Sequence, residues 1–206
     1  VAICRLKRAA ADNKEDFDTL LPEIPTEKNG KNIALIGGGP ASLTVARDLL
    51  PLGYEVTVFE KDPKPGGLMR TNIPSFRLPE EVLDEEVYRV IKMGAKFVNN
   101  TEIKSMKSLV DDEKFDAVFV GIVAPKGKNL NIPGRDEASE NIHIGSDWLT
   151  SIAFEHISAI GKKVVVIGGG NTAMDCCRTA IRLGAEDVKV TVRSPFEEMK
   201  ASDWEK

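Results

Sequence analysis

Long apolar runs and cysteines are both scarce in this chain. The longest apolar stretch, residues 117–125, is far shorter than the roughly 20 residues that a membrane-spanning helix needs. Only three of the 206 residues are cysteines, without disulfide or zinc-ribbon spacing, and no charged-then-apolar leader begins the chain. We therefore expect no membrane span and a cytoplasmic protein in a reducing compartment.

The chain also lacks an excess of charge of one sign. Its 28 Lys and Arg residues stand against 32 Asp and Glu residues, which gives a net charge of −4, and no polybasic stretch occurs. Nucleic acids and membrane surfaces are therefore not expected partners. Because 42% of the residues are apolar, the chain can bury the core of one or two domains. Small-molecule chemistry is the favoured class.

Two glycine-rich turns of the same kind are present. Ile-Gly-Gly-Gly-Pro-Ala-Ser occupies residues 36–42, and Ile-Gly-Gly-Gly-Asn-Thr-Ala occupies residues 167–173. Each follows a short apolar run and opens a segment with helical apolar spacing, as in the strand–turn–helix cradle for a dinucleotide pyrophosphate. The sequence therefore predicts an α/β protein with two Rossmann-like, three-layer dinucleotide-binding domains. A protein with two such cradles usually passes electrons between their occupants.

Apolar periodicity places the other elements around these turns. It predicts strands at 32–36, 55–60, 96–98, 117–120, 163–167 and 188–192, and helices at 2–11, 41–50, 80–93, 147–160 and 171–183. Residues 12–31 read as a linker, residues 61–79 as a long loop, and the Pro- and Gly-containing residues 125–134 as a crossing between domains.

Residues of the first turn are candidate phosphate contacts: Gly37, Gly38, Gly39, Pro40, Ala41 and Ser42. Their glycines allow the backbone to approach a pyrophosphate at the positive end of the following helix. At the end of the second strand, Glu60 can accept hydrogen bonds from ribose hydroxyls and repels a 2′-phosphate. The first site is therefore predicted to hold FAD or NAD; the alternative is a glycine turn that serves only the backbone.

The loop after Glu60 carries further candidates. Lys61 begins it, and the pair Gly66–Gly67 before Leu68 lets the main chain lie flat against a ring or a phosphate. A surface turn is the alternative. Arg77 stands between two prolines, so its guanidinium could reach an anionic group reproducibly. A plain salt bridge is the competing interpretation.

Residues of the second turn form a matching set of candidates: Gly168, Gly169, Gly170, Asn171 and Thr172. Here the second strand ends at Arg193 instead of an acid, and Ser194 and Lys200 follow as further donors. Positive charge at this position suits a 2′-phosphate, which favours NADP(H) over NAD(H). A solvent-facing arginine is the alternative.

The cysteines and histidines show no pattern typical of a redox-active or metal-binding site. No Cys-x-x-Cys pair occurs, so dithiol exchange is disfavoured, and one of the adjacent Cys176 and Cys177 is expected to pack against the sheet as a small apolar residue. His143 and His156 show no metal spacing with each other or with a cysteine. We therefore predict no metal site and name no catalytic residue.

Four motifs in order resemble the small (beta) subunit of glutamate synthase. They are Ile-Ala-Leu-Ile-Gly-Gly-Gly-Pro-Ala-Ser, Val-Phe-Glu-Lys followed by Pro-Gly-Gly-Leu, Ile-Pro-Ser-Phe-Arg-Leu-Pro, and Gly-Gly-Gly-Asn-Thr-Ala-Met-Asp-Cys. The flavin-reducing part of dihydropyrimidine dehydrogenase is similar in places. The resemblance implies that NADPH gives a hydride to FAD, which passes electrons to iron–sulfur clusters in another domain or subunit that serves a larger catalytic subunit.

The resemblance also implies an organisation and a set of contacts. Residues 1–30 would follow an iron–sulfur domain, residues 31–125 would begin an FAD-binding domain, and residues 126–206 would begin an NADPH-binding domain inserted in it. FAD would contact residues 38–42 and 60–68, Arg77 and Ile103, while NADPH would contact residues 169–172, Arg193, Ser194 and Lys200. The first residue is Val rather than Met, so we expect a piece of a longer chain.

Three departures from the family pattern bear on these expectations. Arg193 is followed by Ser194 where the family often has a second basic residue, and Asn72 stands where glycine is common. The chain also ends before the family's returning FAD segment. The alternative hypothesis is therefore a truncated, non-catalytic docking module of a multisubunit oxidoreductase, and a dithiol reductase is the least favoured.

Overall fold

The computed structural model describes residues 2–14, 21–123, 127 and 129–206. Part of the predicted linker, residues 15–20, and the predicted domain boundary at 125–126 lie outside the described residues. The described helices are α1 (Ile3–Asp12), α2 (Pro40–Leu49), α3 (Leu68–Thr71), α4 (Glu80–Lys92), α5 (Met106–Asp111), α6 (Gly145–Ala153) and α7 (Asn171–Arg182). The described strands are β1 (Asn32–Ile36), β2 (Glu55–Phe59), β3 (Lys96–Val98), β4 (Ala117–Val120), β5 (Lys163–Ile167) and β6 (Asp187–Thr191).

The first unit is built on a parallel sheet with the strand order β3-β2-β1-β4. β1 is central, and its last residue, Ile36, lies opposite Phe59 of β2 and Val120 of β4. Because all four strands run the same way, the segments that follow them meet at one edge of the sheet. The first glycine turn and Glu60 both lie at that edge.

Helices cover both faces of this sheet. On one face, α2 and α4 bury Leu43, Ala46 and Val87 against Leu35 and other strand residues. On the other face, Leu109 of α5 packs against the apolar residues Ala34, Ile36 and Phe59. A strand covered on both faces needs apolar side chains on both, which explains why β1 is a continuous apolar run rather than an alternating one.

The second unit repeats the strand–helix–strand pattern on a smaller scale. β5 and β6 pair in parallel from Lys163 opposite Asp187 to Ile167 opposite Thr191. Trp148 of α6 and Cys176 and Ala180 of α7 form its buried core. Together the two units confirm the predicted α/β fold with parallel sheets.

The structure corrects several predicted elements. The helix predicted at 147–160 spans Gly145–Ala153 instead, and Glu155 beyond it has a positive φ of 58°, which an α-helix does not continue through. The loop predicted at 61–79 contains the single-turn helix α3, and the short helix α5 had no predicted counterpart. β6 begins and ends one residue earlier than predicted.

Helix α1 confirms the predicted N-terminal helix. Its apolar residues Ile3 and Leu6 are each 60% exposed, and none of its residues is buried. The guanidinium of Arg5 stacks over the ring of Trp204 at 5.9 Å. Among the described residues, no other element covers the apolar side of this helix.

Candidate functional site

The first glycine turn joins β1 to α2 at the carboxyl edge of the first sheet. Gly37 has a φ of +91°, and its N–H donates to the carbonyl of Phe59 at 2.8 Å. Gly39 precedes α2 with an extended backbone, and Pro40 occupies the first helical position. No side chain caps the helix, so its first turn presents N–H groups without helical partners. This end can receive an anion.

Glu60 is held directly beneath this turn. Its side chain accepts from the N–H of Gly38 at 2.6 Å and from the N–H of Asp62 at 2.9 Å, and the residue is only 4% exposed. Each carboxylate oxygen has two acceptor sites, so one site on each remains for a ribose hydroxyl. Burial raises the pKa of the neighbouring Asp62, while Lys61 opposes that shift. The two backbone hydrogen bonds hold the carboxylate of Glu60 in a defined orientation.

The Gly66–Gly67 loop lies across the same turn. The N–H of Gly66 donates to the carbonyl of Gly38 at 2.8 Å, and a Cβ on Gly67 would lie 2.9 Å from the Cα of Gly39. Gly66 and Gly67 have φ values of +135° and +55°, which favour glycine. The loop therefore packs against the first turn and is not a free surface turn. Leu68 follows it at the start of α3 and is partly exposed.

Arg70 anchors this loop, and sequence reasoning did not identify it. It is buried, its Nε donates to the carbonyl of Pro65 at 2.7 Å, and its guanidinium also pairs with Asp84 of α4. The partner acid lies 14 residues away, so no local motif marks the contact. Arg70 therefore links the Gly66–Gly67 loop to α4.

Ser42 occupies the position where the ideal fingerprint has its third glycine. It is fully buried, and its hydroxyl has no hydrogen-bond partner among the described residues. A Cβ on Gly121, just after β4, would lie 2.2 Å from that hydroxyl oxygen. Gly121, just after β4, therefore leaves the space that the side chain of Ser42 occupies.

The second glycine turn joins β5 to α7 in the same way. The N–H of Gly168 donates to the carbonyl of Thr191 at 3.0 Å, and Gly170 precedes the helix with an extended backbone. Asn171 is the first helical residue, and its side-chain oxygen accepts from the backbone N–H and the hydroxyl of Ser202. The first turn of α7 therefore also lacks a side-chain cap.

The predicted phosphate-binding residues lie around this second turn. The N–H of Ala201 donates to the carbonyl of Gly169 at 2.8 Å, which brings the neighbouring Lys200 to the turn. Val192 packs where a Cβ on Gly169 would be, so Arg193 follows at the same edge. Arg193 and Lys200 are exposed, and neither side chain has an ion-pair partner in the described part of the chain. Thr172 is exposed at the start of α7.

A cavity of about 830 Å³ opens beside the second turn. It is lined by β5, by the beginning of α7 and by residues 141–146, and Gly168, Gly170 and Thr172 border it. Val165 and Ile167 of β5 contribute apolar side chains that are more than 60% exposed. The second turn thus borders an open cavity.

Two further predicted FAD contacts have protein partners in the structure. The guanidinium of Arg77 donates to Asp175 of α7 at 2.6 Å and pairs with Glu205 at 2.9 Å, as the competing salt-bridge interpretation held. Burial raises the pKa of Asp175, and Arg77 opposes the shift. The side chain of Ile103 packs against the core that contains Phe59. Contacts of Arg77 and Ile103 with FAD stay predictions.

The cysteines behave as packing residues. Cys176 is buried in the core of the second unit, and burial raises the pKa of its thiol to about 12. A thiol with so high a pKa is protonated at neutral pH and unreactive. The described residues contain no cluster of three metal-ligating side chains and no helix long and apolar enough to cross a membrane.

Comparisons with known proteins agree with this geometry. The family model of the pyridine nucleotide-disulphide oxidoreductases matches residues 31–204. The NADPH-Fe(3+) oxidoreductase subunit beta of Geobacter sulfurreducens is 36% identical over all of this chain and 31% of its own length. The glutamate synthase [NADPH] small chain of Bacillus subtilis is 36% identical over 91% of this chain and 40% of its own length. The resemblance predicted from the motifs is thereby confirmed.

The dihydropyrimidine resemblance is confirmed too. The NAD-dependent dihydropyrimidine dehydrogenase subunit PreT of Salmonella typhimurium is 34% identical over all of this chain and 49% of its own length. The chain thus spans between about a third and a half of these curated relatives.

A solved structure supports the fold. The structure of FprA from Mycobacterium tuberculosis in complex with NADPH matches 85% of this chain and 46% of that chain, with a TM-score of 0.69 and 22% identity. Two turns on parallel strands, a buried acid beside one and free basic residues beside the other, therefore agree with the family match. The chain belongs to the pyridine nucleotide-disulphide oxidoreductase family.

Proposed function

We propose that this chain is part of an electron-input flavoprotein that transfers a hydride from NADPH to FAD. One observation carries the proposal: the two glycine turns have the same backbone design, but a buried acid lies beside the first and exposed, unpaired basic side chains lie beside the second. An acid at this position suits a dinucleotide without a 2′-phosphate, such as FAD, and a basic residue suits NADP(H).

The residues of the first site fit FAD. The uncapped N-terminus of α2 would receive the pyrophosphate, and the free acceptor sites of Glu60 would bind the ribose hydroxyls. Gly38 and Gly67 allow the first turn, Glu60 and the following loop to pack closely, because a Cβ on either glycine would lie less than 3.0 Å from a neighbouring protein atom. The candidate contacts at this site are Gly37 to Ser42, Glu60, Lys61, Gly66, Gly67 and Leu68.

The residues of the second site fit NADPH. The uncapped N-terminus of α7 would receive the pyrophosphate, and Arg193 and Lys200 have no competing carboxylate among the described residues. A guanidinium binds a phosphate through two parallel hydrogen bonds, so Arg193 would select the 2′-phosphate. The nicotinamide cofactor and the flavin supply the redox chemistry, and the protein binds and orients them.

Organisation and partners follow from the same proposal. We infer that the second unit is inserted in the first, and that electrons leave for iron–sulfur clusters in another domain or subunit and then for a larger catalytic subunit. The exposed apolar side of α1 supports a contact with such a partner. A cytoplasmic location fits the unpaired cysteines, all three of which are free.

Absorbance spectroscopy tests the proposed function. The full-length protein is purified, its visible spectrum is recorded, and NADPH is added without oxygen. We expect a bound-flavin spectrum that bleaches on addition of NADPH. A colourless protein, or a flavin that NADPH does not reduce, contradicts the proposal and favours the docking module.

A further inference from the structure

Residues 72–77, here called the bridging segment, lie between α3 and α4 of the first unit, and three of their side chains contact the second unit. The first contact is a hydrogen bond from the Nδ2 of Asn72 to the carbonyl of Ser146 in α6, at 2.9 Å. These residues are 74 positions apart in sequence. One end of the bridging segment is therefore attached to α6.

The second contact is the ion pair of Arg77. Its Nη1 lies 2.6 Å from Asp175 of α7 and its Nε lies 2.9 Å from Glu205. The side chains of these two acids are only 5% and 7% exposed. A guanidinium offers separate, rigidly spaced donors to the two carboxylates, which a lysine ammonium cannot match. The N–H of Arg77 also donates to the carbonyl of Pro74, so the backbone holds it in place.

The third contact is the ring of Phe76. The guanidinium groups of Arg178 and Arg182, one turn apart on α7, lie 4.8 and 3.8 Å from its centre. Arg178 also pairs with Glu205, which joins the stacking contact to the ion pair of Arg77. The bridging segment therefore contacts both helices that pack on the second sheet.

These contacts matter for reaction geometry because each unit carries its own nucleotide turn. Hydride transfer needs reacting atoms about 3–3.5 Å apart, and a misplacement of about 1 Å can lower the rate roughly 100-fold. We propose that the bridging segment sets the orientation of the second unit against the first, so that the nicotinamide meets the flavin. Asn72, Phe76 and Arg77 are then positioning residues, and the inference rests on the proposed function.

The test compares Arg77→Ala with Arg77→Lys in the full-length protein. Arg47→Ala is the matched control, because Arg47 forms an exposed ion pair with Asp48 inside the first unit. For each variant we measure the flavin content, the limiting rate of anaerobic flavin reduction by NADPH, the half-saturating NADPH concentration, and amide hydrogen exchange by peptide mass spectrometry. Hydrogen exchange reports on the contact without requiring activity.

We expect Arg77→Ala to lower the limiting rate at least tenfold, with flavin content and half-saturation within about twofold of wild type. Exchange should accelerate in residues 145–153 and 171–182 but not in residues 32–36 and 55–59. Arg77→Lys should recover only part of the rate. Where Arg77→Ala does not fold, Asn72→Ala, which removes the hydrogen bond to α6 and a local one from the hydroxyl of Thr71, is measured in its place.

Two results overturn the inference. One is that Arg77→Ala matches Arg47→Ala in both rate and exchange. The other is that flavin is lost while exchange is unchanged, which makes Arg77 a flavin contact. If NADPH fails to reduce the wild-type flavin, the proposed function fails separately, and the exchange comparison alone decides whether the bridging segment holds the two units.

Discussion

Substitution of Gly121 by alanine tests the match between β4 and α2. The added Cβ would lie 2.2 Å from the Oγ of Ser42, more than 1 Å inside ordinary contact distance. Ser42 is fully buried, so its hydroxyl cannot move into solvent to relieve the strain. Overpacking of this kind costs about 1–3 kcal/mol, and we expect the free energy of unfolding to fall by that amount.

Ser42→Ala should rescue the substitution. It removes the clashing Oγ, and the next atoms near the new Cβ are in Phe119 at 3.1 Å and Ile36 at 3.4 Å. The hydroxyl has no hydrogen-bond partner in the structure as described, so its removal alone should change stability by less than about 0.5 kcal/mol. The double variant should therefore regain most of the loss, with a coupling energy of about 1–2 kcal/mol.

The measurement is urea denaturation of the wild-type protein, the two single variants and the double variant. Gly161→Ala is the control, because a Cβ there meets no atom within 4 Å, and we expect no loss of stability. Additive effects of Gly121→Ala and Ser42→Ala would refute the reasoning, since they would show that the two positions do not share one crowded space.

Three further predictions concern the two nucleotide sites and the thiols. In binding titrations, Arg193→Ala should weaken NADPH binding roughly 10- to 150-fold, the equivalent of about 1.5–3 kcal/mol. The same substitution should weaken NADH binding by less than about threefold. Equal losses for the two nucleotides would count against a 2′-phosphate contact. Glu60→Ala should lower the free energy of unfolding of the apoprotein by about 1–3 kcal/mol in urea, because the N–H of Gly38 loses its buried acceptor; an unchanged value would mean that another group replaces it. Because burial raises the pKa of Cys176 to about 12, iodoacetamide at pH 8 should alkylate exposed Cys4 and spare Cys176 until the protein is unfolded; rapid labelling of both in the native state would contradict this packing.

The sequence predicted best what depends on neighbouring residues. The bounds of β1, β3, β4 and β5 were correct, because short apolar runs ending at glycine or polar residues are local signals. The two turns and the place of Glu60 were also predicted, since the spacing from turn to acid is set within one strand–helix–strand unit. Short helices such as α3 and α5 were missed, because one or two turns give too little periodicity to detect.

Contacts between distant segments could not be predicted. The partner of Arg77 lies 98 residues away, and nothing near Arg77 in sequence distinguishes an ion pair from a ligand contact. The same is true of Gly121, whose lack of a side chain matters only because the hydroxyl of Ser42 fills the space. The hydrogen bond from Asn72, which departs from the family pattern, to α6 could not be predicted either, because its acceptor lies 74 residues away.

The contact between the Gly66–Gly67 loop and the first turn has a consequence for protein engineering. Gly67 lies against Gly39, and a Cβ on Gly38 would lie 2.8 Å from the Cβ of Pro65. Replacing the first turn alone with one from another protein would therefore remove it from the loop against which it packs. A replacement of the first turn would therefore have to include the Gly66–Gly67 loop as well.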